Sequence, residues 1–208
     1  MKQKKERRVD VCLFWLLITS YKKYMNKYVH AVYCIPCGVL KMAMLKLTRG
    51  NLFKGSVISM VSPLTELTLD RGGKLEIGRG FKMRDGAKIR VRKGAVCKIG
   101  NNTSINCNNM IACREKIIIG NDVQFSANVQ LYDHDHDFRV EGGIKVGKYK
   151  TSPIEIGNNV WIGANTIILR GTQIGDDVVI AAGSIVKGNI PSKTIFIQKR
   201  ESEILQRK

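Results

Sequence analysis

The groups best able to move protons are gathered in one run, Tyr132-Asp133-His134-Asp135-His136-Asp137-Phe138-Arg139. It contains two of the three histidines in the chain, each flanked by aspartates. Near neutral pH an imidazole can take a proton from a hydroxyl while that oxygen attacks a carbonyl carbon. A neighbouring carboxylate can fix the ring tautomer and stabilise the imidazolium. His134 and His136 are therefore both candidates for a general base, with Tyr132 and Asp133 beside them as candidates for holding an acceptor. The same run read as a metal site would need a third histidine from the flanking chain. None stands there, so no metal is expected. His30 lies apart, among Tyr and Val, and is read as structural. The plainer reading of the run is a solvated acidic turn with incidental histidines. The chain on either side argues against it.

Aliphatic residues recur every six positions as Ile156, Ile162, Ile168, Ile174, Ile180 and Val186. Gly or Ala follows most of them (Gly157, Gly163, Gly175, Ala181), and a small or β-branched residue sits two places before the next: Val160, Thr166, Thr172, Val178, Ser184. The unit appears earlier at Ile77-Gly78, Ile99-Gly100 and Ile119-Gly120. Ordinary strands alternate with period two but carry no Gly every six residues, and hairpins bring turn pairs at irregular spacing. A unit with one deep aliphatic and one small corner residue describes a flat-sided coil whose turns stack in parallel, each burying its aliphatics only against its neighbours. The expected fold is all-β, a parallel β-helix over 51–192. Short corner insertions fall near 70–76, 90–98 and 112–118, and a long loop covers 133–152. A coil that keeps its register and then throws out some twenty residues presents a functional loop.

The Ile-Gly-x-x-Val-x-Ile-Gly-x-x-Thr pattern with Ala181-Ala182-Gly183-Ser184 resembles the hexapeptide-repeat acyltransferases over about residues 57–192. Within them it is similar to the maltose, galactoside and nodulation-type sugar O-acetyltransferases and to their capsular-polysaccharide relatives. The resemblance implies a left-handed β-helix, a homotrimer with shared sites, acetyl-CoA as cosubstrate and a sugar or glycan as acceptor. A gapless match through Asn128-Val129-Gln130-Leu131 places the family's catalytic histidine at His136, with His134 as the other candidate. Counting back from Ile119-Gly120, the resemblance places an acceptor-contacting asparagine at Asn106, in Asn106-Cys107-Asn108. Trp161, Ala164 and Ala182 match positions along the pantetheine arm, and Lys187, with Lys193, Lys199 and Arg200, is a candidate for a coenzyme phosphate. Two departures stand out. Arg114 occupies a stretch where the family often has an acid, which points to a different acceptor. The Gly-x-Pro that usually ends the domain is missing after Pro191. Serine, drug or nucleotide-amino-sugar acylation on the same fold is the enzymatic alternative.

Composition bounds the rest. With 208 residues, 44% of them hydrophobic, the chain can bury a sizeable core, and this excludes a disordered or disulfide-stapled chain. The six cysteines, scattered among apolar neighbours, read as reduced buried thiols. The net charge of +18 is uneven, since residues 1–50 carry eleven Lys and Arg against Glu6 and Asp10. Their apolar stretches, Val11–Ile18 and Val29–Leu47, are too short or too interrupted by Pro36, Gly38, Lys41 and Lys46 to span a bilayer. Residues 1–50 are expected to form a basic amphipathic helical appendage that lies on an anionic membrane face or caps the body, and 193–208 a basic tail. A cytoplasmic protein, peripheral at the inner face of the membrane, is expected. A basic glycan- or nucleic-acid-binding protein is the non-enzymatic alternative. No nucleic-acid partner is expected, because residues 153–186 carry Arg170 as their single cation and so no basic stripe.

Overall fold

The computed structural model describes residues 28–56, 58–199, 201 and 203–206. From Phe53 to Phe196 the chain winds as a three-sided parallel β-helix. The first face stacks seven strands: Phe53–Gly55, Lys74–Ile77, Val96–Ile99, Lys116–Ile119, Ile154–Ile156, Gln173–Ile174 and Asn189–Ile190. The second face stacks Met60–Val61, Lys82–Met83, Ser104–Ile105, Gln124–Phe125, Trp161–Ile162, Val179–Ile180 and Ile195–Phe196. The third face has six strands: Glu66–Leu69, Lys88–Val91, Met110–Cys113, Gln130–Tyr132, Ile167–Leu169 and Ile185–Val186.

The six-residue period becomes columns. Ile77, Ile99, Ile119, Ile156, Ile174 and Ile190 are in register down the first face. Met83, Ile105, Phe125, Ile162, Ile180 and Phe196 run down the second. Ile89, Ile111, Leu131, Ile168 and Val186 run down the third. Nearly all of these are buried, and together they make the core. The small or β-branched corner residues also turn inward. Thr172 and Ser184 are buried, and their hydroxyls donate to the carbonyls of Leu169 and Ala181, both at 2.6 Å. The corners need a left-handed backbone, which Asn and Asp tolerate better than other side-chain-bearing residues. Asn102, Asp122, Asn159 and Asp177 adopt it with φ of 52 to 58°. Their side chains continue the ladder outside the core, with Asn102 donating to Asp122 at 3.0 Å and Asn159 to Asp177 at 2.8 Å.

All the insertions fall at one corner, between the third and first faces: 70–73, 92–95, 114–115 and the long loop after Tyr132. Stacked in one place, they build a raised edge without disturbing the columns of the core. The solenoid runs further than the boundary at 192 read from the sequence. Ile195–Phe196 pairs with Val179–Ile180, and the Gln198 amide exchanges two hydrogen bonds with the backbone of Ile185, at 2.8 and 2.7 Å.

A helix, α1 (Tyr28–Arg49), closes the first coil and continues through Pro36 and Gly38. Tertiary contacts account for its persistence. Cys34 and Met42 are buried, and Met42 joins the core cluster with Phe53 and Val61. The Lys41 ammonium donates to the carbonyls of Ser62, Pro63 and Thr65 at 3.1, 2.9 and 2.7 Å. Gly38 permits the close approach, since a Cβ there would stand 2.0 Å from the Ser59 carbonyl oxygen. Cys37, Cys97, Cys107 and Cys113 are free thiols. No helix among the described residues is long and apolar enough to cross a membrane. The basic run Lys2–Arg8 and the apolar run Val11–Ile18 lie outside the described residues, as does Cys12.

A Gly-to-Ala change inside an exposed helix normally stabilises by about 1 kcal/mol. Gly38→Ala should do the reverse, costing roughly 1–3 kcal/mol through overpacking against Ser59. Thermal denaturation checks this, and a raised melting temperature would show that α1 does not dock on the first coil.

Candidate active site

The long loop leaves the raised corner as an antiparallel hairpin. His134–His136 pairs with Tyr149–Thr151, placing His134 opposite Thr151 and His136 opposite Tyr149. Alternation along a strand sends His134 and His136 to one side and the aspartates to the other. The three aspartates then have separate tasks. Asp135 pairs with Arg170 at 2.5 Å, and Asp137 with Lys150 at 3.3 Å. Only Asp133 meets a histidine.

Asp133 comes directly after the column Leu69, Val91, Cys113, in the place where the next coil would carry an inward aliphatic. Its side chain is fully buried. The reason lies in the interrupted ladder. Elsewhere on this corner an insertion's N–H groups bond to carbonyls of the next coil, as Arg92 does to Cys113 and Val96 to Glu115. Above Arg114–Lys116 the chain has turned outward, so the Asp133 carboxylate substitutes for the missing carbonyls. It accepts the backbone N–H groups of Arg114 (2.8 and 3.0 Å), Glu115 (2.8 Å) and Lys116 (3.0 Å). It also stands 2.9 Å from His134 Nδ1. Burial pushes the carboxyl pKa up, but the His134 hydrogen bond and the Glu115 and Arg114 N–H groups outweigh it and hold the pKa below the ordinary value. The Asp133 carboxylate, held as an acceptor by backbone donors, favours the His134 tautomer that carries its proton on Nδ1 and turns Nε2 away from it.

His134 is 15% exposed, and its Nε2 bonds to no described residue. His136 is exposed and leans on the Tyr149 ring, with centroids 4.5 Å apart. Tyr149 also meets His134 edge-on at 5.4 Å and carries the Arg114 guanidinium 3.4 Å from its ring centroid. Tyr132 sits edge-on to His134 at 6.2 Å and donates its hydroxyl to Gln130 at 3.0 Å. Tyr149 and Arg170 were not singled out as site residues from the sequence. Arg170 had a signal as the one cation in its repeats, whereas Tyr149 had none before the hairpin register was known.

The remaining candidates lie elsewhere on the coil. Asn106 precedes the third-face strand Met110–Cys113, at the corner between the second and third faces. Its side-chain oxygen is taken by the Cys107 N–H at 2.8 Å. The same corner holds Ser126, Ala164 and Ala182. Trp161, 55% exposed on the second face, donates its indole N–H to Ser126 at 3.1 Å. The third face therefore separates this group from Asp133–His134 within one chain. Lys187 follows Val186 and lies on the loop's corner, away from Ala164 and Ala182.

Residues 153–188 match the family profile described as bacterial transferase hexapeptide (six repeats). The chain is 41% identical over 97 residues to a galactoside O-acetyltransferase of Escherichia coli, covering 47% of each chain. It is 33% identical over 109 residues to a putative lipopolysaccharide biosynthesis O-acetyl transferase of the same organism, covering 46% of this chain and 53% of the relative. The chain spans about half the length of the curated relatives it matches. Among solved structures, a mutant of the N-acyltransferase AntD from Bacillus cereus, in complex with dTDP and coenzyme A, shares the fold. Its TM-score is 0.59 at 22% identity, over 74% of this chain and 82% of that one. The likeness to hexapeptide-repeat acyltransferases read from the sequence is borne out.

Asp133→Asn should lower the unfolding free energy at pH 7 by about 1.5–3 kcal/mol, the range for hydrogen bonds to a charged group. The folded-state pKa is depressed, so this stabilisation is fully present above the ordinary carboxyl value and is lost as pH falls through the folded one. Urea unfolding at pH 7 and at pH 3 should show the gap between wild type and variant narrowing in acid. A gap independent of pH would mean the carboxylate is not ionised in the folded protein.

Proposed function

We propose that the chain is an O-acetyltransferase that moves an acetyl group from acetyl-CoA to a sugar hydroxyl, in building a surface polysaccharide. The observation that carries the reading is His134, held through Nδ1 by the buried Asp133 at the foot of the one long loop in the repeat. His134 Nε2 accepts the hydroxyl proton as the sugar oxygen bonds to the thioester carbonyl carbon. The tetrahedral intermediate collapses with cleavage of the C–S bond, and the imidazolium returns its proton to the departing thiolate. No acyl-enzyme is required. Asp133 stabilises the imidazolium formed between the two transfers.

The gapless register put the base at His136, and the geometry favours His134. A base needs a fixed tautomer and a fixed direction. His134 has both from Asp133, while His136 is exposed with only a ring contact. His136 and Tyr149 then form the wall against which an acceptor ring stacks, with Tyr132 on the other side of His134.

The donor binds beside Trp161, Ala164 and Ala182, where an exposed indole and small side chains leave room for a pantetheine arm. Because the width of the third face separates this group and Asn106 from His134, one chain holds two half-sites. A homotrimer, in which the loop corner of one chain meets the Trp161 corner of the next, completes them. Exposed Trp161, Ile185 and Ile195 suit such contacts. Lys187, on the loop corner, reaches a coenzyme phosphate only in such an assembly. We further assign the protein to the cytoplasmic face of the membrane. Val32, Leu40, Met44 and Leu47 are exposed on α1, and Lys46 lies among them. Co-sedimentation should favour anionic over neutral vesicles, and equal binding to both removes that assignment.

His134→Ala should reduce turnover by about 10²–10⁴-fold, the usual effect of losing a general base, and His136→Ala clearly less. Release of coenzyme A thiol in the presence of a sugar acceptor measures both. The reverse order would move the base to His136. Full activity in both variants would rule out the reaction as drawn.

A further inference from the structure

Arg114 takes no part in the proton transfer, yet it is built into the same corner. Its backbone N–H is bound by Asp133, and its guanidinium lies flat on the Tyr149 ring that also touches His134 and His136. Three other arginines near this edge are neutralised. Arg90 makes a two-pronged contact with Glu66 at 2.7 and 2.8 Å, Arg92 meets Asp70 at 3.6 Å, and Arg170 meets Asp135 at 2.5 Å. Two lysines beside it are paired as well, Lys116 with Glu155 and Lys150 with Asp137. Arg114 has no carboxylate partner among the described residues. Its Nε is buried without a hydrogen bond, while its two Nη nitrogens are unbonded and not buried.

This arrangement suits anion recognition. Stacking on Tyr149 fixes the plane of the guanidinium, and the Nη edge remains free to present parallel N–H donors. That edge matches the two oxygens of a carboxylate or phosphate, and a head already immobilised loses little entropy on binding one. The one acid that touches Arg114's backbone, Asp133, is itself saturated by three N–H groups and His134, so it does not compete for the side chain. A neutral sugar would leave the Nη donors to water.

We propose that Arg114 is a specificity-determining residue that makes the acceptor site select sugars bearing an anionic group, carboxylate or phosphate, close to the hydroxyl that is acylated. This rests on the O-acetyltransferase reading of His134. The guanidinium grips the anion while the ring of the acceptor packs toward Tyr149 and His136, which presents its hydroxyl to His134.

The experiment compares methyl glucuronide, glucose 1-phosphate and methyl glucoside as acceptors for wild type, Arg114→Gln and Arg114→Lys. Transfer is read as kcat/KM from thiol release, and binding without acetyl-CoA by ligand-observed NMR. In the wild type at least one anionic acceptor should exceed methyl glucoside in kcat/KM by roughly tenfold or more, as expected for a charge-assisted paired contact. Whichever anion does so identifies the source. Arg114→Gln should collapse that ratio toward one, and Arg114→Lys should retain part of it. The ratio is internal to each variant, so partial misfolding cancels. A wild type with no preference overturns the proposal. So does an equal loss on charged and neutral acceptors, which would make Arg114 a prop for Tyr149. If no acceptor is acetylated but anion-selective binding vanishes in Arg114→Gln, the transferase reading fails while the anion site stands.

Discussion

The loop corner depends on one buried carboxylate. A parallel β-helix satisfies its backbone by handing each N–H to the coil above, so any coil that is interrupted leaves donors behind. At Arg114–Lys116 three such donors lie inside the protein, where leaving each unpaired would cost about 1–3 kcal/mol. Asp133 takes all three and the adjacent imidazole as well. One side chain therefore permits the solenoid to open, anchors the stem of the hairpin and aims His134. The same negative charge satisfies the interrupted backbone and holds the imidazole.

The regular stack around it explains why the opening is tolerated. The columns of Ile, Val and Leu continue on both sides of the loop, with Ile119 in register with Ile156 and Leu131 with Ile168. The chain leaves after Tyr132 and returns at Ile154 without shifting a column. Because the insertions share one corner, their side chains are neighbours although they lie on successive coils. Arg114 from one coil and Tyr149 from the hairpin meet there through stacking, which needs no matching charge.

The width of the third face keeps two groups of candidate site residues apart. Asn106, Ser126 and Trp161 occupy one edge of it, and His134 and Arg114 the other. A rigid β-helix cannot fold one edge onto the other within a chain. The cap formed by α1 works at the opposite scale. Buried Met42, the close approach at Gly38 and the carbonyl contacts of Lys41 keep the first coil from presenting bare strand edges and an open core.

The sequence alone determined the solenoid, the place of its long loop and the pair of histidines, because the six-residue period is local and each repeat states it again. It also marked Arg114 as out of place. It did not reveal that Asp133 turns inward while Asp135 and Asp137 turn outward, since three alternating acids look alike until one of them is set against an interrupted ladder. The register therefore pointed to His136, while the buried carboxylate stands beside His134. Nor did it show that Pro36 and Gly38 lie within one helix, because local propensity argues for a break and only docking against Ser59 and Ser62 overrides it. The meeting of Arg114 with Tyr149 was equally hidden. It depends on a hairpin register and on two insertions sharing a corner, and such long-range geometry exists only once the coils have stacked.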